Sequence, residues 1–322
     1  MMKRINTLLS LSLLCLPFSV QAEDNWPQKT ITIIIPASPG GTTDMVGRMI
    51  SKPLSKELGQ TVVIENKAGA AGIVVSQNFI RAKPDGYTLI MGNIGPNAIN
   101  YSLYKNLPYK KDDFVPITNV ISVPNILVVN QERPVTTVQE LIAHVSSDIN
   151  NQTFGSSGQG QSPHMSAELF MQRTGLEAEH ITYKGAGPAV TALLANQFTF
   201  MIDNLPSSLP YIQSGQLRAL AVTGEKRVPD LPDVPTMQEA GIDDMVVTAW
   251  FGLFAPKGTP DSVVNKIYEA THKVLASEDI QTRFAQLGGE AGGNTPQEYA
   301  EYVESQQAMW QEIVESANIT MD

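Results

Sequence analysis

The side chains that could carry catalysis are few, and their spacing suits none of the common chemistries. The chain holds four histidines, His144, His164, His180 and His272, and one cysteine, Cys15. No two histidines have the H-E-x-x-H spacing that sets a pair of imidazoles on one helical face around zinc. A single cysteine excludes four-cysteine zinc sites, cysteine-held iron–sulfur clusters and internal disulfides. A serine nucleophile on a strand-to-helix elbow needs G-x-S-x-G, and Gly155-Ser156-Ser157-Gly158-Gln159 fails at its last position. The stretch Pro39-Gly40-Gly41-Thr42-Thr43 lacks the G-x-x-x-x-G-K-[ST] spacing of a nucleotide loop. No catalytic residue, metal or cofactor is therefore expected.

What does recur is a loop rich in glycine and hydroxyls just ahead of a helix. Helix starts carry unpaired N–H groups and a partial positive charge, so such loops suit an anion. The first runs Ser38-Pro39-Gly40-Gly41-Thr42-Thr43-Asp44. Its glycines admit close approach to the backbone. Asp44 falls in a first helical turn, where capping outweighs direct ligand contact. The second runs Ser156-Ser157-Gly158 to Pro163-His164, where a carboxylate could accept from hydroxyls and amides together. His164 reads equally as a capping group or a ligand contact. The third is Lys184-Gly185-Ala186-Gly187-Pro188-Ala189. Pro188 suits a first helical position, and Lys184 either neutralises an anion or is simply solvated. The fourth, Asn93 to Ala98, offers the amide of Asn97. Asp203 ends a strand and either faces a site or caps the helix from Leu205. Hydrogen-bonding loops without a reactive constellation favour binding over catalysis.

Positioning these loops takes alternating strands and helices. The β-branched run Thr30–Pro36 reads as a buried strand. Helical spacing follows over Thr42–Leu58, which Pro53 is expected to kink or split and Gly59 to end. Val62–Glu65, Tyr87–Gly92 and Phe114–Ile121 read as strands, and Ala71–Arg81 as a helix. A second cycle has strands at Ile126–Asn130, Thr153–Ser156, His180–Tyr183, Phe198–Asp203 and Leu217–Thr223. Helices at Val138–Ser146, His164–Arg173, Gly187–Ala195 and Leu205–Ser214 lie between them. After the loop-rich return 224–247 come a strand at Thr248–Ala255 and helices at Asp261–Ala276, Asp279–Leu287 and Pro296–Ser316.

This order predicts an α/β protein with parallel sheets covered by helices on both faces. It divides into a discontinuous first domain, 23–123 with 248–322, and a second, 124–247. Two crossover strands, near Ser122–Asn125 and Asp244–Thr248, would join the lobes and act as the hinge. The cleft between them is the expected ligand site.

Residues 1–22 have the form of a cleavable signal peptide: Lys3 and Arg4, an apolar run from Leu8 to Val20, then Val20-Gln21-Ala22 before a cut at Glu23. The run is too short for a membrane span. Leu14 ahead of Cys15 argues against a lipid-modified cysteine. The full chain of 322 residues has a net charge of −10, and losing two bases with the leader makes it −12. A protein this acidic is not expected to bind nucleic acid, and the mature chain is expected to be a soluble, exported monomer.

Taken in order, the loops resemble the extracytoplasmic solute-binding proteins of tripartite tricarboxylate transporters, the Bug family. The resemblance covers nearly the whole mature chain. It rests on Pro39-Gly40-Gly41-x-x-Asp44, Val63-Ile64-Glu65-Asn66-Lys67-x-Gly69-Ala70-x-Gly72 and Pro84-Asp85-Gly86-Tyr87. Further on it rests on Phe154-Gly155-Ser156-Ser157-Gly158, Tyr183-Lys184-Gly185-x-x-Pro188-Ala189, Asp203-Asn204-x-Pro206-Ser207 and Trp250-Phe251-Gly252. It implies a type II periplasmic-binding-protein fold and a small organic carboxylate as ligand. Loops Pro39–Thr42 and Lys184–Pro188 would then grip one carboxylate through backbone N–H groups and water, with Ser156–Ser157 closing the other side. It further implies delivery to membrane permease subunits. A binding protein serving a sensor kinase, and a secreted α/β hydrolytic enzyme, are the alternatives.

Overall fold

The computed structural model describes residues 25–316 together with Ile319 and Met321; the expected leader lies outside the described residues. The elements, in order, are β1 (Ile31–Ile35), α1 (Thr42–Leu58), β2 (Val62–Asn66), α2 (Ile73–Phe79), β3 (Thr88–Asn93), α3 (Asn100–Leu103) and β4 (Phe114–Asn130). There follow α4 (Val138–Ser147), β5 (Thr153–Ser156), α5 (Ser162–Thr174), β6 (Glu179–Thr182), α6 (Ala186–Leu194), β7 (Phe200–Asn204), α7 (Leu205–Gln213) and β8 (Leu217–Val222). The chain closes with β9 (Thr248–Pro256), α8 (Asp261–Leu275), α9 (Glu278–Gln286), β10 (Glu290–Ala291) and α10 (Pro296–Ser316).

The sheet is mixed, not parallel throughout as the alternation suggested. Strands β2, β1 and β3 pair in parallel, and so do β6, β5 and β7. Between the two sets lie β9 and β4, antiparallel to each other and to every strand they join. They carry the chain between the halves in opposite directions, which fixes their antiparallel sense.

A second correction concerns β4. The two strands expected at Phe114–Ile121 and Ile126–Asn130 are one continuous strand. Up to Pro124 it pairs with β9, and from Asn125 with β7. Pro124 has no N–H to donate, so it sits where the strand changes partners. Thr223 ties both crossings together. Its Oγ1 accepts from the Asn125 amide at 2.9 Å and donates to the Val247 carbonyl at 2.6 Å.

Pro53 does not split α1, which runs as one helix to a left-handed Gly59. Packing of α1 along β2 and α8 holds the turn that the missing N–H weakens. The helix expected at Ala71–Arg81 is shorter. A tight turn at Ala70–Gly72, with Ala70 and Ala71 at φ 41° and 50°, comes before it. A single wide turn, Gly95–Ile99, and the strand β10 had no sequence signal.

Three apolar clusters form the core. One lies beneath α1 and α8, around Ile33, Ile50 and Phe284. Another joins β4 and β7 to α6 and α7, around Ile126, Leu193 and Leu209. The largest runs without a break from Trp250, Phe254 and Tyr299 to Phe154, Phe170 and Phe200.

Candidate functional site

The loops at the carboxyl ends of the parallel strands converge on a cleft of about 430 Å³. The strand-to-helix rule explains the convergence: each loop leaves a buried strand and delivers the start of a helix. Gly41, Thr42 and Thr43 enter from α1, Gly69 to Ile73 from the turn ahead of α2, and Ser162 from α5. Gly185 and Ala186 enter from α6, and Asn204 from the start of α7. Several helix N-termini thus face one volume. Among the described residues Lys184 is the one charged residue lining it, and no acidic residue does. That electrostatic field favours an anion.

Thr42 is 2 % exposed, and its Oγ1 has no hydrogen-bond partner among the described residues. Thr42 also lines the cleft. Apolar surface from Ile73, Ile94, Tyr104 and Phe251 completes the wall.

The anticipated site residues fall into two sets. Gly41, Thr42, Ser157, Gly158, Lys184, Gly185 and Ala186 line the cleft. The others lie outside that lining, and several brace it. Asp44 is buried; its carboxylate accepts the Gly40 amide at 3.0 Å and pairs with Arg48 at 2.9 Å. It fixes the first loop from behind the cleft. Ser38 Oγ donates to the Lys184 carbonyl, so the first and third loops touch. Pro39 and Gly40 sit exposed on that loop. A Cβ added at Gly187 would lie 3.1 Å from the Pro39 carbonyl, so those loops meet closely there too. Pro188 is exposed, and Ala189 is buried in the core with Val190 and Leu193. Asn97 turns behind the cleft, its Oδ1 accepting from the Asn93 amide at 3.1 Å.

The second loop hangs on two histidines. Ser156 Oγ lies 2.7 Å from His180 Nε2 and also accepts the Gly158 amide at 3.2 Å. His164 Nδ1 accepts the Gly160 amide at 3.2 Å, and its Nε2 faces Glu168 at 3.3 Å. The two imidazoles stack at 4.1 Å, and Phe154 stacks on the His180 ring at 4.7 Å. Burial, then the neighbouring His164, pushes the His180 pKa down to about 3, so its ring is neutral. His164 is therefore a brace of the loop.

Asp203 is fully buried behind the cleft. One carboxylate oxygen accepts from Ser207 and Ser208 at 2.5 and 2.7 Å, and the other has no partner among the described residues. Burial raises its pKa to about 6, against the lowering effect of those hydroxyls.

Sequence reasoning missed Gly69–Ile73, Gln159, Gln161, Thr182 and Asn204 as wall residues. The turn after β2 was findable, since Gly69 and Gly72 mark one more loop at a strand's carboxyl end. Tyr104 and Phe251 reach the cleft only through the tertiary fold and left no local signal. Among the described residues no cluster of ligating side chains could hold a metal, and no helix is long and apolar enough to cross a membrane.

Two parallel-stranded sets joined by the crossing strands β4 and β9, with their loops meeting at one cleft, are the arrangement of a solute-binding protein. The chain belongs to the tripartite tricarboxylate transporter family receptors, whose family model matches residues 46–319. It is 35% identical to protein BugT of Bordetella pertussis over 293 residues, which is 90% of each chain. Among solved structures it resembles Rpa4515 of R. palustris, determined with adipate, at 36% identity and a TM-score of 0.89. That match covers 92% of this chain and 99% of the other. It resembles MatC of Rhodopseudomonas palustris, determined with bound malate, at 32% identity and a TM-score of 0.86. Here the coverage is 90% and 100%. The fold is the mixed α/β arrangement of periplasmic binding proteins, and the family is one of transport receptors.

Proposed function

We propose that this protein is exported, loses residues 1–22, and captures a small linear dicarboxylate in the periplasm for a tripartite tricarboxylate-type permease. The lobes in this reading are 23–123 with 248–322, and 124–247, closing on the ligand about β4 and the segment leading into β9. One observation carries the proposal. Among the described residues the cleft is walled by helix starts, by Thr42 with its unpaired hydroxyl and by one cation, with no acidic residue. One carboxylate is held by amides of the first and third loops, and the other is closed over by Ser157 and Gly158. Adipate and malate in the related structures support the ligand class.

Each helix-end contact is worth about 0.3–2 kcal/mol, so binding needs several of them at once. The test is thermal unfolding of the refolded mature protein against mono-, di- and tricarboxylates, amino acids and sugars. A ligand at 100 times its Kd adds about 2.7 kcal/mol of stability. Stabilisation confined to dicarboxylates is the expected result. Stabilisation by sugars or by nothing in the panel rejects the proposal.

A further inference from the structure

We infer that Gln161 latches the two lobes directly, holding the cleft closed between ligand-binding events and setting how slowly ligand leaves. The inference rests on the two-lobed reading above. Gln161 stands at the N-cap of α5 in the second lobe, with its own backbone fixed by Gly158 and Met165. Its side chain makes no capping bond to its own helix. It reaches across the cleft instead, where Nε2 donates to the carbonyl of Ala71 in the first lobe at 2.6 Å.

Both partners are shaped for that bond. Ala70 and Ala71 hold the left-handed backbone that L-residues avoid, and this aims the Ala71 carbonyl at Gln161. Gly95 of the first lobe leaves room for the crossing amide. A Cβ there would fall 2.8 Å from Gln161 Oε1 and 2.9 Å from its Cδ. Gly95 is outside the positive-φ glycines, so the missing side chain is needed for space and not for backbone freedom. Gly158 approaches Ala71 as well, its virtual Cβ lying 3.3 Å from the alanine methyl. Most of these contacts spend a side chain, a backbone strain or a missing Cβ on touching the other lobe. A ligand that bridges the lobes through water would then find them already together, and departure would wait on the breaking of this bond.

The variants are Gln161→Ala, Gly95→Ala and the pair together, made in the mature protein. Small-angle scattering without ligand reads the latch independently of what the cleft binds. Gln161→Ala is expected to expand the ligand-free protein, and Gly95→Ala to do the same by displacing the amide. In the Gln161→Ala background, Gly95→Ala should add nothing, because the atoms it displaces are gone. Stopped-flow with a bound dicarboxylate should show dissociation about tenfold faster and association no slower, as loss of one direct bond predicts. Ligand-free scattering of Gln161→Ala identical to wild type overturns the latch. So does an equal Gly95→Ala effect with and without Gln161. If no carboxylate binds the wild type, the functional reading falls while scattering still decides the latch.

Discussion

Thr42 Oγ1 is a buried hydroxyl on the cleft wall with nothing to bond among the described residues. A hydrogen bond to a charged group is worth about 1.5–3 kcal/mol. Thr42→Val should therefore weaken dicarboxylate binding by about tenfold or more, and leave the ligand-free melting point equal or higher. Unchanged affinity in a calorimetric titration would remove Thr42 from the site. Asp203 and His180 make a second residue-scale prediction. The folded protein keeps a proton on Asp203 up to about pH 6, while the unfolded chain releases it near 3.8. Stability from this group is thus lost as pH rises through that window, by roughly 3 kcal/mol when complete. His180 works in the opposite sense. Its folded pKa of about 3 lies below the unfolded value of 6.5, so stability is lost as pH falls below about 6.5. Asp203→Asn removes the first term, so denaturant melts should show it gaining on wild type from pH 4 to 7. A pH-independent difference between the two would contradict the assignment. Residue types and spacing made Asp44 legible as a loop brace, because a carboxylate in a first helical turn has a local task. The bracing role of His164 was not legible, because its stacking partner His180 lies sixteen residues away and meets it only in the fold.

At the scale of elements, the strand-to-helix loops were readable and the sheet was not. The βα loops around Gly41, Ser157 and Gly185 follow from β-branched runs giving way to glycine and then to helical spacing. The continuity of β4 was half legible: Ser122 to Asn125 was expected as a crossover between two strands, not as the middle of one. Tertiary pairing with β9 and β7 overrides that local signal. The element-scale prediction concerns the crossing itself. Thr223→Val leaves the buried Asn125 amide and Val247 carbonyl without their hydroxyl partner. Unfolding in urea should show a loss of about 1–3 kcal/mol. A neutral substitution would mean that Thr223 does not tie the crossings. The meeting of loops at Gly187 gives another test. Gly187→Leu would drive the third loop off the Pro39 carbonyl. Ligand affinity should fall by about tenfold or more with the ligand-free melting point unchanged, on the scale of a lost charged hydrogen bond. Full affinity would show that these two loops need not touch when ligand is held.

For the molecule as a whole, the proposed function asks an acidic chain to hold an anion. The full sequence carries a net charge of −10, yet no acidic residue among the described ones lines the cleft. At physiological salt the surface charge is screened over about 8 Å, so the helix starts and Lys184 set the field the ligand meets. The acidic surface then serves solubility. Calorimetric titration of the refolded mature protein with malate, succinate and adipate, alongside the uncharged diamide of adipate, tests the central claim most directly. Saturable one-to-one binding of a dicarboxylate, and none of the diamide, is the predicted result. Equal binding of the diamide, or no binding of any diacid, would contradict the account.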